Sequence, residues 1–211
     1  MNIELDHVFV FVERGAAASA AKLEAEGLVP TYRREHIGQG TANVCYAFDN
    51  AYLELLWVDE PEVLARATFA RTRLFERAQW RTTGTCPFGV CVRSEEPLPF
   101  PCWLWRPPYL PPSFYLEVAK AVADPNAPFL FRFPGAQRPD HWPPQLAGHR
   151  QRDAGLAEIT DLRLAALPSG EGLHELTLDP ELGHRRAVLT LSRTAGGEPR
   201  RLSLPDLTWL A

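Results

Sequence analysis

The stretch that decides the fold is residues 5–12, Leu-Asp-His-Val-Phe-Val-Phe-Val, and the four blocks that follow it take their meaning from it. It is valine- and phenylalanine-rich and apolar on both faces, which predicts a central strand covered on both sides. His7 shares a face with Phe9 and Phe11 by the two-residue period of a strand. Residues 16–26 read as an alanine-rich helix closed by Gly27, and Pro30 precedes a strand starting near Thr31. Residues 36–41 (HIGQGT) form a turn with two glycines. Residues 42–48 and 52–58 are strands joined at Asp49-Asn50. The order to residue 58 is therefore strand, helix, strand, strand, strand, with one helix on one face of a four-stranded sheet.

Further on, residues 61–80 predict a helix with Val63, Ala67, Ala70 and Leu74 along one stripe. After Gly84 the pattern starts again. Residues 87–93 (PFGVCVR) are a shorter copy of the opening strand, and Tyr115-Leu116-Glu117-Val118 echoes Tyr52-Leu53-Glu54-Leu55. Between them lie Pro97, Pro99, Pro101, Pro107, Pro108, Pro111 and Pro112, which leave little room for a helix in the second copy. Residues 129–133 are a further strand. Residues 135–155 read as a polar, proline-bearing linker or surface excursion. Residues 156–167, 187–192 and 202–210 predict strands of a final, mostly β segment. The expected units are 1–83, 84–135 and 150–211.

Composition narrows the functional classes. Apolar residues make up 45% of the chain and charged residues 23%, the proportions of a globular protein. The net charge is -4, and the bases are scattered, so the stripe expected of a nucleic-acid binder is absent. No apolar run reaches the roughly 18 residues of a membrane span. Acids at the N-terminus argue against a signal peptide, and the expected location is the cytoplasm. Cys45, Cys86, Cys91 and Cys102 show no C-x-x-C spacing and are expected as small core residues.

Three motifs in order, LDHVFVFV at 5–12, Gly38-Gln39-Gly40-Thr41-Ala42-Asn43, and YLELL at 52–56, resemble the vicinal oxygen chelate superfamily, specifically its glyoxalase-like domain proteins. The resemblance implies an α+β fold: paired βαβββ modules forming a curved mixed sheet around a cleft, the second module degenerate, with a β-rich C-terminal segment beyond. It implies a small oxygenated ligand in the cleft. It also implies a divalent metal (zinc, iron, manganese or nickel) supporting isomerase, lyase or dioxygenase chemistry. On this reading His7 and Glu54 are metal ligands, one from the first and one from the fourth strand of a module, with Glu117 as a third. Imidazole and carboxylate are the usual N/O donors for such ions. His36 and Tyr46 are the acid/base candidates. Gly40, Thr41, Asn43 and Trp57, beside Gly38, shape the ligand pocket. A homodimer is compatible with modules of this kind.

The second copy departs from the pattern. Aligning its first strand sets Phe88 at the position of His7, and phenylalanine cannot ligate a metal. The alternative to an enzyme is a cleft that sequesters a small molecule without metal. Each residue also has a plain structural reading. His7 is then a hydrogen-bonded core histidine, and Glu54 one half of a structural ion pair. Glu117 is a solvent-facing edge residue, Tyr46 and Trp57 are core aromatics, and the glycines serve a hairpin turn. His141 and His149 flank Trp142 in the linker, within reach of the cleft if the linker folds back, and otherwise on a solvated loop.

Overall fold

The computed structural model describes residues 2–143, 148–167 and 174–210. Its first module runs β1 (Glu4–Phe11), α1 (Ala17–Glu24), β2 (Tyr32–His36), β3 (Thr41–Ala47) and β4 (Tyr52–Val58). The hydrogen-bonded order is β2-β3-β4-β1, with β1 and β4 parallel. The helix ends where Gly27 adopts a φ of 83°, and Leu28 N–H closes back on the carbonyl of Leu23. That closure is why a glycine sits there.

The second module contains β5 (Phe88–Arg93), β6 (Cys102–Trp105), β7 (Leu116–Ala119) and β8 (Phe129–Arg132). Its order is β5-β8-β7-β6, again with first and last strands parallel. The proline-rich run stands where the first module has its helix. The antiparallel pair β1–β5 joins the halves into one eight-stranded sheet. Two details correct the alignment made from sequence. The Leu116–Val118 echo lies on the third strand of its module, and β8 is the counterpart of β4. Phe88 pairs with Val10 on the face away from His7, whereas Gly89 and Cys91 pair with Phe9 and His7.

The segment 61–83 is not one helix. It breaks into Pro61–Leu64, a 3-10 turn Ala67–Thr72, Leu74–Ala78 and Trp80–Thr83, with Arg73 at a φ of 54° between two of them. The buried Arg77 holds the bend, donating to the carbonyls of Cys86, Ala127 and Val122. This segment covers the concave face, with Val63, Leu64, Phe69, Leu74 and Trp80 packed on Phe9, Phe11 and Leu56.

The convex face is covered by α1 and by a second, five-stranded sheet. The latter contains β9 (Leu156–Leu164), β10 (Leu176–Leu178), β11 (Ala187–Arg193), β12 (Arg200–Leu204) and β13 (Thr208–Leu210). The expected single strand 202–210 is thus two strands around a turn. Alternate leucines of β9 and β11 share one core with Val8, Val10, Phe88 and Val90. Asn50, expected only as a turn residue, clamps this sheet with its amide bonded to both the N–H and the carbonyl of Ile159. The four cysteines are free, three of them buried. Within the linker, Pro139–His141 forms a 3-10 turn, while residues 144–147 lie outside the described residues. Among the described residues, no helix is long and apolar enough to cross a membrane.

Candidate functional site

Strand alternation decides which side chains meet. On the concave face the paired positions are His7 and Phe9 on β1, Tyr52, Glu54 and Leu56 on β4, Thr41, Asn43 and Cys45 on β3, and Tyr32, Arg34 and His36 on β2. From the second module the same face takes Gly89 and Cys91 on β5 and Phe129 and Phe131 on β8. A cavity of about 100 Å³ opens between them. One wall is polar (His7, His36, Gln39, Asn43 and Glu54) and the other is apolar, built from Phe129, Phe131, Trp105, Leu110 and Leu116.

His7 is held from both sides. The β1–β5 register slips by one residue between Leu5 and His7, leaving Asp6 as the extra residue of a bulge. A bulge re-aims the side chains beside it, and the Asp6 carboxylate reaches His7 Nδ1 at 2.6 Å. With Nδ1–H donating to that carboxylate, Nε2 is the free ring atom, and it faces Glu54 Oε2 at 3.5 Å. The ring stacks on Tyr52 with centroids 4.4 Å apart and meets the edge of Phe131. Both His7 and Glu54 are more than nine-tenths buried. A buried carboxylate needs a donor, and Asn43 Nδ2 supplies one to Glu54 Oε1 at 2.7 Å.

The polar wall continues through hydrogen bonds. Asn43 Nδ2 also faces His36 Nε2 at 3.3 Å. An amide nitrogen only donates, so Nε2 is the acceptor and the His36 proton sits on Nδ1, which donates to Thr41 Oγ1 at 2.8 Å. Gln39 Nε2 donates to the same hydroxyl. Burial is the main force holding the His36 imidazole below its usual 6.5; the Glu54 charge opposes it and Arg34 and His7 reinforce it. Its ring stacks on Tyr109 at 4.3 Å, and burial pushes the Tyr109 phenol well above its ordinary range, so it stays a donor. Two acceptors remain without a partner: Asn43 Oδ1 and Gln39 Oε1, both buried. Unsatisfied buried acceptors in a cavity wall call for a donor from a ligand or water.

The remaining expected residues lie elsewhere. Tyr46 and Trp57 pair with Leu53 and Ala42 on the convex side and belong to the core there. Burial pushes the Tyr46 hydroxyl up to about 12. Gly40 is a packing residue in the turn, with φ +80°, where an added Cβ would lie 2.5 Å from the carbonyl of Glu60. Glu117 pairs with Arg132 and Val118 with Phe131, which sends the Glu117 side chain to the opposite face from the cavity. There both its oxygens accept from Arg132, at 2.9 and 2.8 Å. It is buried rather than solvent-facing. Asn43 is in the polar wall, and Thr41 stands behind it, hydrogen-bonded to His36. His141 is exposed, but its neighbour Trp142 packs on Tyr32 and Tyr52 at the cavity rim.

A metal held by both modules needs donors from both, and on the concave strands of the second module the donor is Cys91 alone among Gly89, Cys91, Phe129 and Phe131. The Phe9 ring lies over Gly89 so closely that an added Cβ would meet it at 2.0 Å. The β8 residues facing the cavity are phenylalanines. Among the described residues, the His, Cys, Asp and Glu side chains that do cluster are Asp6, His7 and Cys91. Asp6 and Cys91 do not line the inner cavity, so an ion between them would sit behind His7, and it would displace the Asp6 hydrogen bond. Cys91 is fully buried, and desolvation keeps its thiol well above the ordinary value. His7 and Glu54 supply two of the three donors a catalytic ion needs, while Asp6, His7 and Cys91 supply three away from the inner cavity and only by giving up the Asp6–His7 hydrogen bond.

Sequence reading missed Asp6, Arg34 and Tyr109. Arg34 was recoverable, being two residues from His36 on a strand. Asp6 was not, since only the bulge brings it beside His7. Residues 5–98 match the family model described as a glyoxalase-like domain. No curated protein matches the chain. Among solved structures, a hypothetical protein from Staphylococcus aureus is similar at 11% identity and a TM-score of 0.40, covering 77% of this chain and 69% of that one.

Proposed function

We propose, from the premise that residues 5–98 carry a glyoxalase-like domain, that the protein is a proton-transfer enzyme of the isomerase or lyase type. Its substrate is a small hydroxylated carbonyl compound with an apolar or aromatic part. The observation that carries this reading is the Asp6–His7–Glu54 line, with Nδ1 anchored by one carboxylate and Nε2 presented to the cavity beside a second. A base so oriented takes a proton from carbon next to a carbonyl and returns it to the same or the neighbouring carbon. Asn43 Oδ1, unpartnered in the polar wall, accepts from the substrate hydroxyl. The Tyr109 hydroxyl is the donor in the wall for oxygen that gains negative charge. The phenylalanine wall excludes water and takes the apolar part. The chemistry of the donor set supports a site in which His7 acts as the base itself rather than as a metal ligand.

The apolar second wall also favours a second reading, sequestration of the same class of compound without turnover. One experiment addresses both. Hydroxylated carbonyl compounds are screened by thermal shift, and those that raise Tm are followed for turnover by proton NMR. Binding compounds are expected to turn over, and His7→Gln to keep the shift while losing about 100-fold or more in rate. Binding with no turnover in the wild type overturns the enzymatic reading in favour of sequestration.

A further inference from the structure

A second cavity, about 520 Å³, adjoins the first and shares Tyr32, Arg34, Tyr52 and Phe133 with it. The inner cavity has room for only a few atoms, since a water occupies roughly 30 Å³ of liquid. The outer one falls in the range that takes whole ligands, roughly 300–1,000 Å³. Its chemistry differs from the inner one. Arg33 and Arg34 border it, and neither has an ion-pair partner among the described residues. Arg34 instead lies over the Tyr32 ring, 5.8 Å from its centroid. Asp6, the carboxylate in the lining, is committed to His7 and lies 3.8 Å from Arg93. The far wall is Trp142, set against Tyr32 and Tyr52 at 6.0 and 5.7 Å.

That wall is built into the fold. Trp142 Nε1 donates to the carbonyl of Gln137, Asp140 N–H to the carbonyl of Asp49, and Arg138 bridges Asp140 and Glu158. An aromatic wall with the unpaired Arg34 guanidinium at its edge suits a planar group that carries a negative charge.

We propose that the outer cavity is a binding site for the acidic, aromatic part of the ligand, with Arg34 pairing its carboxylate and its ring lying against the Tyr32–Trp142 pair. The site deepens the inner-cavity reading by giving the substrate its second half, and only that link rests on the reading.

The test uses 4-hydroxyphenylacetate and its neutral, isosteric amide as probes, with dissociation constants from isothermal titration calorimetry. On the wild type the acid is expected to bind about tenfold or more tighter than the amide, the worth of one charge-assisted hydrogen bond. The variant R34Q removes that preference without changing the amide. Trp142→Leu weakens both probes alike. His7→Gln leaves the acid within about twofold, so failure of the proton-transfer reading is seen separately as a missing reaction with the preference intact. Equal affinity for acid and amide in the wild type overturns the proposal. So does a preference that survives R34Q, or no binding of either probe up to about 10 mM.

Discussion

The two halves of the eight-stranded sheet share a strand order and divide the chemistry between them. In the first, four concave-face positions carry Glu54, Asn43 and His36, linked by hydrogen bonds, and His7 beside Glu54, all facing one cavity. In the second, the matching strands present Gly89, the fully buried Cys91, Phe129 and Phe131. Its buried acid, Glu117, is turned to the opposite face and neutralised by Arg132. One backbone pattern thus carries a polar, hydrogen-bonded wall on one side and apolar packing on the other. The difference is set by strand parity and by what fills each position.

Exchanging the two acids for amides gives the largest contrast. Glu54→Gln is expected to lower turnover by about 10²–10⁴-fold with less than about 1 kcal/mol of stability lost, because the Asn43 contact persists. Glu117→Gln leaves Arg132 as an uncompensated buried charge and is expected to cost about 3–5 kcal/mol in urea unfolding, with turnover unchanged. If Glu117→Gln abolishes turnover in folded protein, the division between the halves is wrong.

Packing at the seam gives the next effect. Gly89→Ala forces the Phe9 ring aside and is expected to destabilise by about 1–3 kcal/mol. A neutral result in chemical denaturation shows instead that the seam has slack, and with it room for a side chain from the second half.

The smallest effect is a pH dependence confined to the first half. Burial depresses the folded-state pKa of His36 below 6.5, so the unfolded chain binds its proton first as pH falls. The stability held above 6.5 is therefore lost as pH drops through the folded value. The slope is at most about 1.4 kcal/mol per pH unit. His36→Gln is expected to flatten this part of a urea-unfolding series. A slope unchanged in the variant assigns the dependence to other groups.

Much of this was legible in the sequence. The apolar run 5–12, the lone acid in YLELL and the turn at Asp49-Asn50 fixed the first module, because a two-residue period with so few polar interruptions admits one register. The same period carried information against two candidates, since Trp57 is three residues from Glu54 and Tyr46 three from Asn43, odd spacings that send them to the far face. Glu117 was misread because its surroundings imitate β4 while its strand pairs as a third strand. The Asp6 contact depends on a bulge, the Tyr109 stack on a proline-rich loop, and the broken helix on carbonyls that Arg77 gathers from distant segments. These are long-range facts with no local signature.

The central claim is that His7 transfers protons without an ion beside it. Deuterium exchange from solvent into the carbon next to the carbonyl of a bound hydroxy ketone, followed by NMR in protein treated with EDTA, tests it most directly. The account predicts exchange that survives the chelator and disappears in His7→Gln. Exchange lost with EDTA and restored by a divalent metal would contradict it.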